Sequence, residues 1–206
     1  MAVTLTTPNT LLGSFAPKTE TAKLVSGLVT VVLGTLFITL CSKISVPVWP
    51  VPVTLQTLSI ALVAAAFGWR IGTATVLLYI LEGLCGIPVF AGATAGPAYL
   101  MGPTGGFILG FLPMAAIIGR GADMGLSRKV LQLLAVMLVA DAVDFALGFA
   151  WLVAFLSNAK GVGLDAVMGP AFAGAIQPFV VWDVLKMVFA AVTVAGTFSL
   201  VQGRKA

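Results

Sequence analysis

Long, nearly uncharged runs of apolar residues are the feature of this sequence that most limits how the chain can fold. A helix needs about 20 mainly apolar residues to cross the hydrocarbon core of a bilayer, which is about 30 Å thick. A window of similar length identifies six runs, at Leu24–Ser42, Val53–Gly68, Ile71–Leu84, Thr104–Ile118, Val130–Leu156 and Pro178–Val201. We therefore predict an all-α integral membrane protein with six transmembrane helices in a single domain. Its parts are a polar N-terminal segment (1–23), the six-helix bundle (24–201) and a short tail (202–206).

The composition excludes several other classes of protein. Only 9% of the 206 residues are charged and 60% are hydrophobic, whereas about a quarter of the residues of a soluble domain are charged. The chain has no histidine, which excludes a histidine-based metal site, and we expect neither a metal nor a cofactor. It also lacks a basic stripe with interleaved aromatic residues, so we expect no nucleic-acid partner.

Lysine and arginine are unevenly distributed between the two ends of the predicted helices. Cytoplasmic segments of membrane proteins carry an excess of these residues. The outer segments hold two, Lys43 and Lys160, if the N-terminus is placed inside. The inner segments then hold Lys18, Lys23, Arg70, Arg120, Arg128, Lys129, Arg204 and Lys205. The sequence therefore predicts that both termini are cytoplasmic.

Two of the predicted outer loops have unusual compositions. The first, SVPVWPVPVTLQT, contains Pro47, Pro50 and Pro52, which favour an extended backbone. The second, GIPVFAGATAGPAYLMGPTGGF, carries no charge over 22 residues. Irregular backbone cannot face lipid, so this loop must lie against protein or line a cavity. We interpret it as a functional cover, and the alternative is a loop that is merely packed over the bundle.

A carboxylate and an ammonium group lie within the last apolar run, in PFVVWDVLK. Asp183 is about 8 Å below the outer end of the predicted helix, at 1.5 Å per residue. Lys186 is one turn deeper on the same face. Ionisable residues inside a membrane helix are costly and usually face the bundle interior. One interpretation is an ion pair that only locks helix packing. We favour a ligand site open to the outside, in which Asp accepts N–H groups and Lys donates to a carbonyl or carboxylate.

Glycines and aspartates elsewhere in the runs have less specific interpretations. In GPTGGFILGF, Gly106 and Gly110 are four residues apart, a spacing that lets another helix or a ligand approach the backbone closely. Asp141 and Asp144 lie within the fifth run. They could bind a cation, but we predict that they pair with Ser, Thr or backbone groups of neighbouring helices.

Two aromatic residues of the outer loops, Trp49 and Tyr99, are candidates for stacking on a ligand. Trp49 also fits the belt of aromatic residues that membrane proteins place at the interface with water. The residues alone therefore predict a small membrane protein with an outward-facing polar pair beneath a neutral cover.

Four motifs together resemble those of the BioY biotin transporters, which are substrate-binding (S) components of energy-coupling-factor (ECF) transporters. The motifs are VPVTLQT, GIPVFAG, GPTGGFILGF and PFVVWDVLK, in this order and spacing. The resemblance runs from about Val46 to the C-terminus. It implies the six-helix ECF S-component fold, high-affinity binding of biotin in an outward-facing pocket, and biotin uptake across the bacterial inner membrane. It implies no enzymatic activity.

The resemblance also implies roles for particular residues. The Asp-x-x-Lys motif of the family falls on Asp183 and Lys186, and in the family these residues contact the biotin head. Thr54, Gln56 and Phe90 are placed at or near the pocket. A ureido ring offers two N–H groups and a carbonyl, which need acceptors and a donor together. The resemblance implies biotin as ligand and a membrane coupling subunit (EcfT-like) with ATP-binding-cassette ATPases as partners. Work alone and work as a homo-oligomer are the alternatives that the sequence leaves open.

The alternatives to this function are an S component for another small vitamin-like molecule, a stand-alone biotin facilitator or channel, and an intramembrane enzyme. A channel needs a continuous polar path, whereas the sequence offers one polar cluster near one face. An enzyme needs a pattern such as a nucleophile beside a base, and the chain shows none. The chain also lacks the GK[ST] of a Walker A loop, so we do not expect it to hydrolyse ATP.

Overall fold

The structure, a computed structural model, describes residues 9–14, 19–92 and 94–203. Lys18, Arg204 and Lys205, which contribute to the predicted orientation, lie outside the described residues, as do parts of the predicted terminal segments 1–23 and 202–206. The described part of the chain is mostly helical, as predicted. Its helices are α1 (Leu11–Ser14), α2 (Glu20–Lys43), α3 (Gln56–Phe67), α4 (Trp69–Leu84), α5 (Pro97–Leu100), α6 (Gly105–Asp123), α7 (Val130–Lys160), α8 (Leu164–Ala175) and α9 (Val180–Gly203). A 3-10 helix, Leu126–Arg128, precedes α7.

Four of these helices are long and apolar enough to cross a membrane: α2, α6, α7 and α9. They correspond to the first, fourth, fifth and sixth predicted spans. The second and third predicted spans correspond to α3 and α4, which have 12 and 16 residues. At 1.5 Å per residue these two helices are about 18 and 24 Å long, shorter than a bilayer core.

The turn between α3 and α4 consists of a single residue, Gly68. Its φ of 87° is in a region that glycine adopts readily and other residues rarely adopt. Trp69 and Arg70, which lie between the second and third predicted spans, are therefore the first residues of α4. The guanidinium groups of Arg70 and Arg120 lie 5.8 and 5.4 Å from the centre of the Trp69 ring. A basic and aromatic cluster thus marks this end of the bundle.

The first predicted outer loop folds back on itself as a short hairpin. Strand β1 (Ser45–Val46) pairs antiparallel with β2 (Val53–Thr54), with Ser45 opposite Thr54 and Val46 opposite Val53. The proline-rich segment between the strands lies beside α8, where a Cβ on Gly174 would be 2.8 Å from Pro50 Cδ. The hairpin and α8 therefore lie together in one layer at one end of the bundle, the end predicted to be outside.

Helix α8 lies in the segment 157–177, which the six predicted spans leave unassigned. Gly169, Pro170 and Gly174 weaken the intrinsic preference of this segment for helix. Packing outweighs that preference, because one face of α8 is buried against the first outer loop, α6, α7 and the turn that precedes α9. The members of this apolar cluster are Val51, Phe107, Leu152, Val153, Leu156, Val167, Ala171, Ala175 and Phe179.

Helices α6 and α7 approach each other closely along the predicted glycine face. A Cβ on Gly106 would lie 2.2 Å from Trp151 Cβ, and a Cβ on Gly110 would lie 2.2 Å from Asp144 Oδ1. These positions have no room for a larger residue. Both glycines therefore serve helix packing, which is the first of the two interpretations of their spacing, and Gly110 also makes room for a carboxyl group.

Candidate functional site

The polar pair of the last helix is buried near the N-terminal end of α9. Lys186 Nζ lies 2.9 Å from Asp183 Oδ1, and the side chains are 10% and 2% exposed, respectively. The three-residue spacing in a helix places both on one face, as predicted. Asp183 is on the side of α9 that packs into the bundle, so the pair is removed from lipid and from bulk water.

A third residue, Thr57 of α3, joins this pair. The Thr57 hydroxyl donates to Asp183 Oδ1 at 2.6 Å, and Lys186 Nζ donates to Thr57 Oγ1 at 3.3 Å. Sequence reasoning missed Thr57, because a contact between two helices that are 126 residues apart in the chain leaves no local pattern. Its only signal is its position in VPVTLQT beside two predicted site residues.

The Asp183–Lys186–Thr57 group lines a cavity between α3, α6, α7 and α9. The walls combine polar side chains with four phenylalanines, and Phe145 meets both Phe107 and Phe179 edge to face at 6.2 and 6.3 Å between ring centres. The lining residues are Val51, Pro52, Thr54, Gln56, Thr57, Tyr99, Thr104, Phe107, Ile108, Phe111, Asp144, Phe145, Phe179, Asp183 and Lys186. A polar end and an aromatic wall suit a compact ring with a hydrogen-bonding head.

The cavity is narrow in this structure, with a volume of about 50 Å³. Pockets for drug-sized molecules have volumes of about 300–1,000 Å³. A wider outer cavity of about 420 Å³ lies between the two outer loops and shares Pro52, Tyr99 and Thr104 with the inner one. The inner cavity must therefore widen to admit a ligand, and these three residues lie where the two spaces adjoin.

Gln56 belongs to a hydrogen-bond chain that connects α3 to the second outer loop. The Thr54 hydroxyl donates to Gln56 Oε1 at 2.8 Å, and Gln56 Nε2 donates to the Tyr79 hydroxyl at 2.7 Å. Tyr79 in turn donates to the carbonyl oxygen of Val89 at 3.0 Å. The same carbonyl accepts from Ser42 Oγ at 2.7 Å. Thr54 and Gln56 thus line the cavity, and their polar atoms belong to a hydrogen-bond chain that ends on the second outer loop.

Lys43 at the end of α2 anchors the same loop. Its Nζ donates to the carbonyl oxygens of Pro88, Phe90 and Gly92, at 2.5, 2.6 and 2.7 Å. The backbone of the neutral loop therefore lies against protein, as predicted, and α5 gives the loop a helical turn. Lys43 was recognised from the sequence only as an outer charge.

The remaining candidates occupy different places. Phe90 is fully buried, packs edge to face with Tyr79 and stacks on Tyr99 with ring centres 5.1 Å apart. It supports Tyr99 from outside the inner cavity. Trp49 is 77% exposed and lines neither cavity. The structure thus brings together Asp183, Lys186, Thr54, Gln56 and Tyr99 around one space, with Phe90 behind Tyr99 and Trp49 apart from them.

The prediction for Asp141 and Asp144 is wrong. We expected Ser, Thr or backbone partners, but Oδ1 of each carboxyl is buried and has no hydrogen-bond partner among the described residues. The two aspartates differ in position, because Asp144 lines the inner cavity and Asp141 does not. Pairing with neighbouring helices therefore does not explain why this helix carries two acids.

Comparison with known proteins gives a consistent result. The model of the BioY family matches residues 14–203. The chain is 35% identical to the biotin transporter BioY2 of Lactococcus lactis subsp. cremoris over 81% of this chain and 85% of that protein. It is also 35% identical to the probable biotin transporter BioY of Pyrococcus horikoshii, over 75% of this chain and 86% of that protein.

One solved structure has a closely similar fold. It is the crystal structure of the S-component for biotin from an ECF-type ABC transporter, with a TM-score of 0.72 and 23% sequence identity. The superposition covers 86% of this chain and 93% of that chain. This likeness extends over nearly all of the helical bundle and shows that the two chains share a fold.

Proposed function

This chain belongs to the BioY family, an integral membrane transporter family, and from that membership we propose that it is the biotin-binding S component of an ECF-type transporter. Biotin binds in the inner cavity, with its ureido head at Asp183 and Lys186. The protein thereby confers specificity on biotin uptake across the bacterial inner membrane.

The buried ion pair is the observation that supports this site most strongly. A buried pair contributes little to stability compared with apolar side chains of similar volume. It is well suited to a ureido ring, because the carboxylate accepts N–H groups and the ammonium donates to the carbonyl. The surrounding phenylalanines supply apolar contact to the rest of the bicyclic ring. The arrangement thus matches both the polar and the apolar parts of biotin.

Entry of biotin requires the outer layer to move. The outer cavity leads towards the inner one past Tyr99, which is held by stacking on Phe90. We infer that biotin enters between the two outer loops and displaces Tyr99, and that the loops then close above it. Exclusion of water by a closed cover strengthens each polar contact beneath it.

We also propose that the chain crosses the membrane six times with both termini in the cytoplasm. Helices α3 and α4 are short, but only one residue separates α3 from strand β2 of the hairpin, so the hairpin continues the chain towards the outer surface. Irregular backbone is tolerated at membrane depth where it is buried in protein or lines a cavity. The distribution of basic residues supports this orientation. The described members on the inner side are Lys23, Arg70, Arg120, Arg128 and Lys129, and those on the outer side are Lys43 and Lys160.

Uphill transport in this proposal depends on partners. The polar site lies towards one face, and the sequence has no Walker A motif with which to bind ATP. The partners are an EcfT-like coupling subunit and two ATP-binding-cassette ATPases. The alternative assembly is a homo-oligomer of this chain. The mass of the detergent-solubilised complex distinguishes the homo-oligomer from the complex with EcfT-like and ATPase partners.

Retention of labelled biotin by the purified protein tests the proposal. Biotin should bind saturably, and unlabelled biotin should displace it while thiamine and riboflavin should not. Asp165→Asn, on the exposed first turn of α8, is a control that leaves the cavity unchanged. Binding of another vitamin in preference to biotin would favour an S component with a different substrate.

A further inference from the structure

A buried acid that the proposed contacts do not use lies in the wall of the inner cavity. Asp144 belongs to α7, whereas Asp183 and Lys186 belong to α9. The Asp144 side chain is 2% exposed, and its Oδ1 has no hydrogen-bond partner in the part of the chain that the structure describes. A buried polar atom without a partner is destabilising and calls for an explanation.

The packing around Asp144 makes room for the acid. Oδ1 lies over Gly110 of α6, at a point where a Cβ would be 2.2 Å away. Helices α6 and α7 therefore meet at a glycine and an aspartate. An apolar residue at position 144 could fill the same space without burying an oxygen that lacks a hydrogen-bond partner. This combination indicates that the carboxyl group has a role beyond helix packing.

Asp141, one helical turn before Asp144, helps to decide whether the acids of α7 form a metal site or whether Asp144 belongs to a ligand site. It is also buried and lacks a partner for Oδ1, but it does not line the cavity. Across residues 9–14, 19–92 and 94–203, no group of three or more His, Cys, Asp and Glu side chains is placed to hold a metal ion. The two acids therefore do not form part of a carboxylate metal cage, and of these two acids it is Asp144 that lines the inner cavity.

We infer that Asp144 is a second carboxyl contact for the head of the ligand, and this inference rests on the proposed binding of biotin. Asp183 Oδ1 already accepts hydrogen bonds from Thr57 and Lys186. A ureido head has two N–H groups that point away from each other. Acceptors on two different helices can hold both groups, whereas one carboxyl group beside Lys186 holds one. Asp144 thus determines specificity for a head with N–H groups on both sides.

The test measures equilibrium binding of biotin to the wild-type protein, to Asp144→Asn and to Asp141→Asn in detergent. The amide of Asp144→Asn replaces one carboxyl oxygen with an NH₂ group that cannot accept a hydrogen bond. A buried N–H group of the ligand that is left without an acceptor lowers affinity about tenfold or more, so Asp144→Asn should bind at least tenfold more weakly. Asp141→Asn is the matched control and should stay within about threefold of the wild type, since such a change is below 1 kcal/mol. Thermal unfolding of each variant reports whether the bundle is intact.

A ligand-side measurement keeps the inference testable if Asp144→Asn does not fold. Two biotin derivatives, each methylated on a different ureido nitrogen, are compared with biotin on the wild-type protein. If both N–H groups are held, each derivative should bind at least tenfold more weakly, and Asp144→Asn should lose discrimination against one of them. Equal affinity of Asp144→Asn and Asp141→Asn for biotin, or a normal affinity of one derivative for the wild type, would overturn the inference. Failure of the wild type to bind biotin at all would instead overturn the proposed function.

Discussion

Replacement of Lys186 by methionine should separate the role of the polar pair in binding from its role in packing. The substitution keeps an unbranched side chain of similar length and removes only the ammonium group. Asp183 then stays buried, 2% exposed, with the Thr57 hydroxyl at 2.6 Å as its one remaining neighbour from this group. Removing one partner of a buried ion pair costs about 3–5 kcal/mol, because the other charge is left uncompensated.

The expected loss is measurable by thermal unfolding in detergent. For a chain of this length, 1 kcal/mol corresponds to about 2–4 °C, so Lys186→Met should lower the unfolding temperature by roughly 6–20 °C. The double variant Asp183→Asn/Lys186→Met removes both charges and should recover most of this loss, since a neutral buried pair carries no uncompensated charge. The non-additivity of the single and double variants gives the coupling energy of the pair.

Binding should behave differently from stability in the same variants. Neither the single nor the double variant should bind biotin with wild-type affinity, because both lack the donor for the ureido carbonyl. A double variant that is stable and binds biotin with wild-type affinity would refute the proposed role of the pair in binding. The pair would then serve helix packing alone. A Lys186→Met variant as stable as the wild type would refute the magnitude worked out for the buried charge.

Three other predictions concern the cover, the helix packing and the energy source. Lys43→Ala removes three hydrogen bonds to the loop that follows α4, so a protease should cut this loop faster in the variant than in the wild type. Biotin should slow cleavage of the wild-type protein. Equal cleavage rates in all samples would argue against a cover. Gly110→Ala places a Cβ 2.2 Å from Asp144 Oδ1 and should destabilise the bundle by about 1–3 kcal/mol. Gly196→Ala within α9, whose Cβ would meet nothing within 4 Å, should not lower the unfolding temperature. Liposomes holding only this protein should at most equilibrate biotin, and concentrative uptake driven by a proton gradient would contradict the need for ATPase partners.

The local parts of the site could be predicted from the sequence. The shared face of Asp183 and Lys186 follows from helical spacing, and the burial of the neutral loop follows from its lack of charge. Both depend on residues that are close together in the chain. The same holds for the four long helices, which have 19 or more residues each, close to or above the length that a bilayer requires.

The parts that could not be predicted depend on contacts between distant residues. Thr57 reaches Asp183 across 126 positions, and Lys43 reaches Phe90 across 47 positions. Helix α8 forms in spite of Gly169 and Pro170, because burial of its other face outweighs their low helix preference. The lack of a hydrogen-bond partner for Asp144 could not be predicted either. A sequence shows where an acid lies along a helix, but it does not show whether a neighbouring helix offers a hydrogen-bond donor.

The equilibrium affinity of Asp183→Asn for biotin tests the central claim most directly. Asparagine keeps the size of the side chain and can still pair with Thr57, but it loses the negative charge and one acceptor. Loss of a charge-assisted hydrogen bond is worth about 1.5–3 kcal/mol, so the purified variant should bind biotin roughly 10- to 150-fold more weakly than the wild type and Asp165→Asn. Unchanged affinity in a folded Asp183→Asn protein would contradict the account, because the buried pair of α9 would then take no part in holding the ligand.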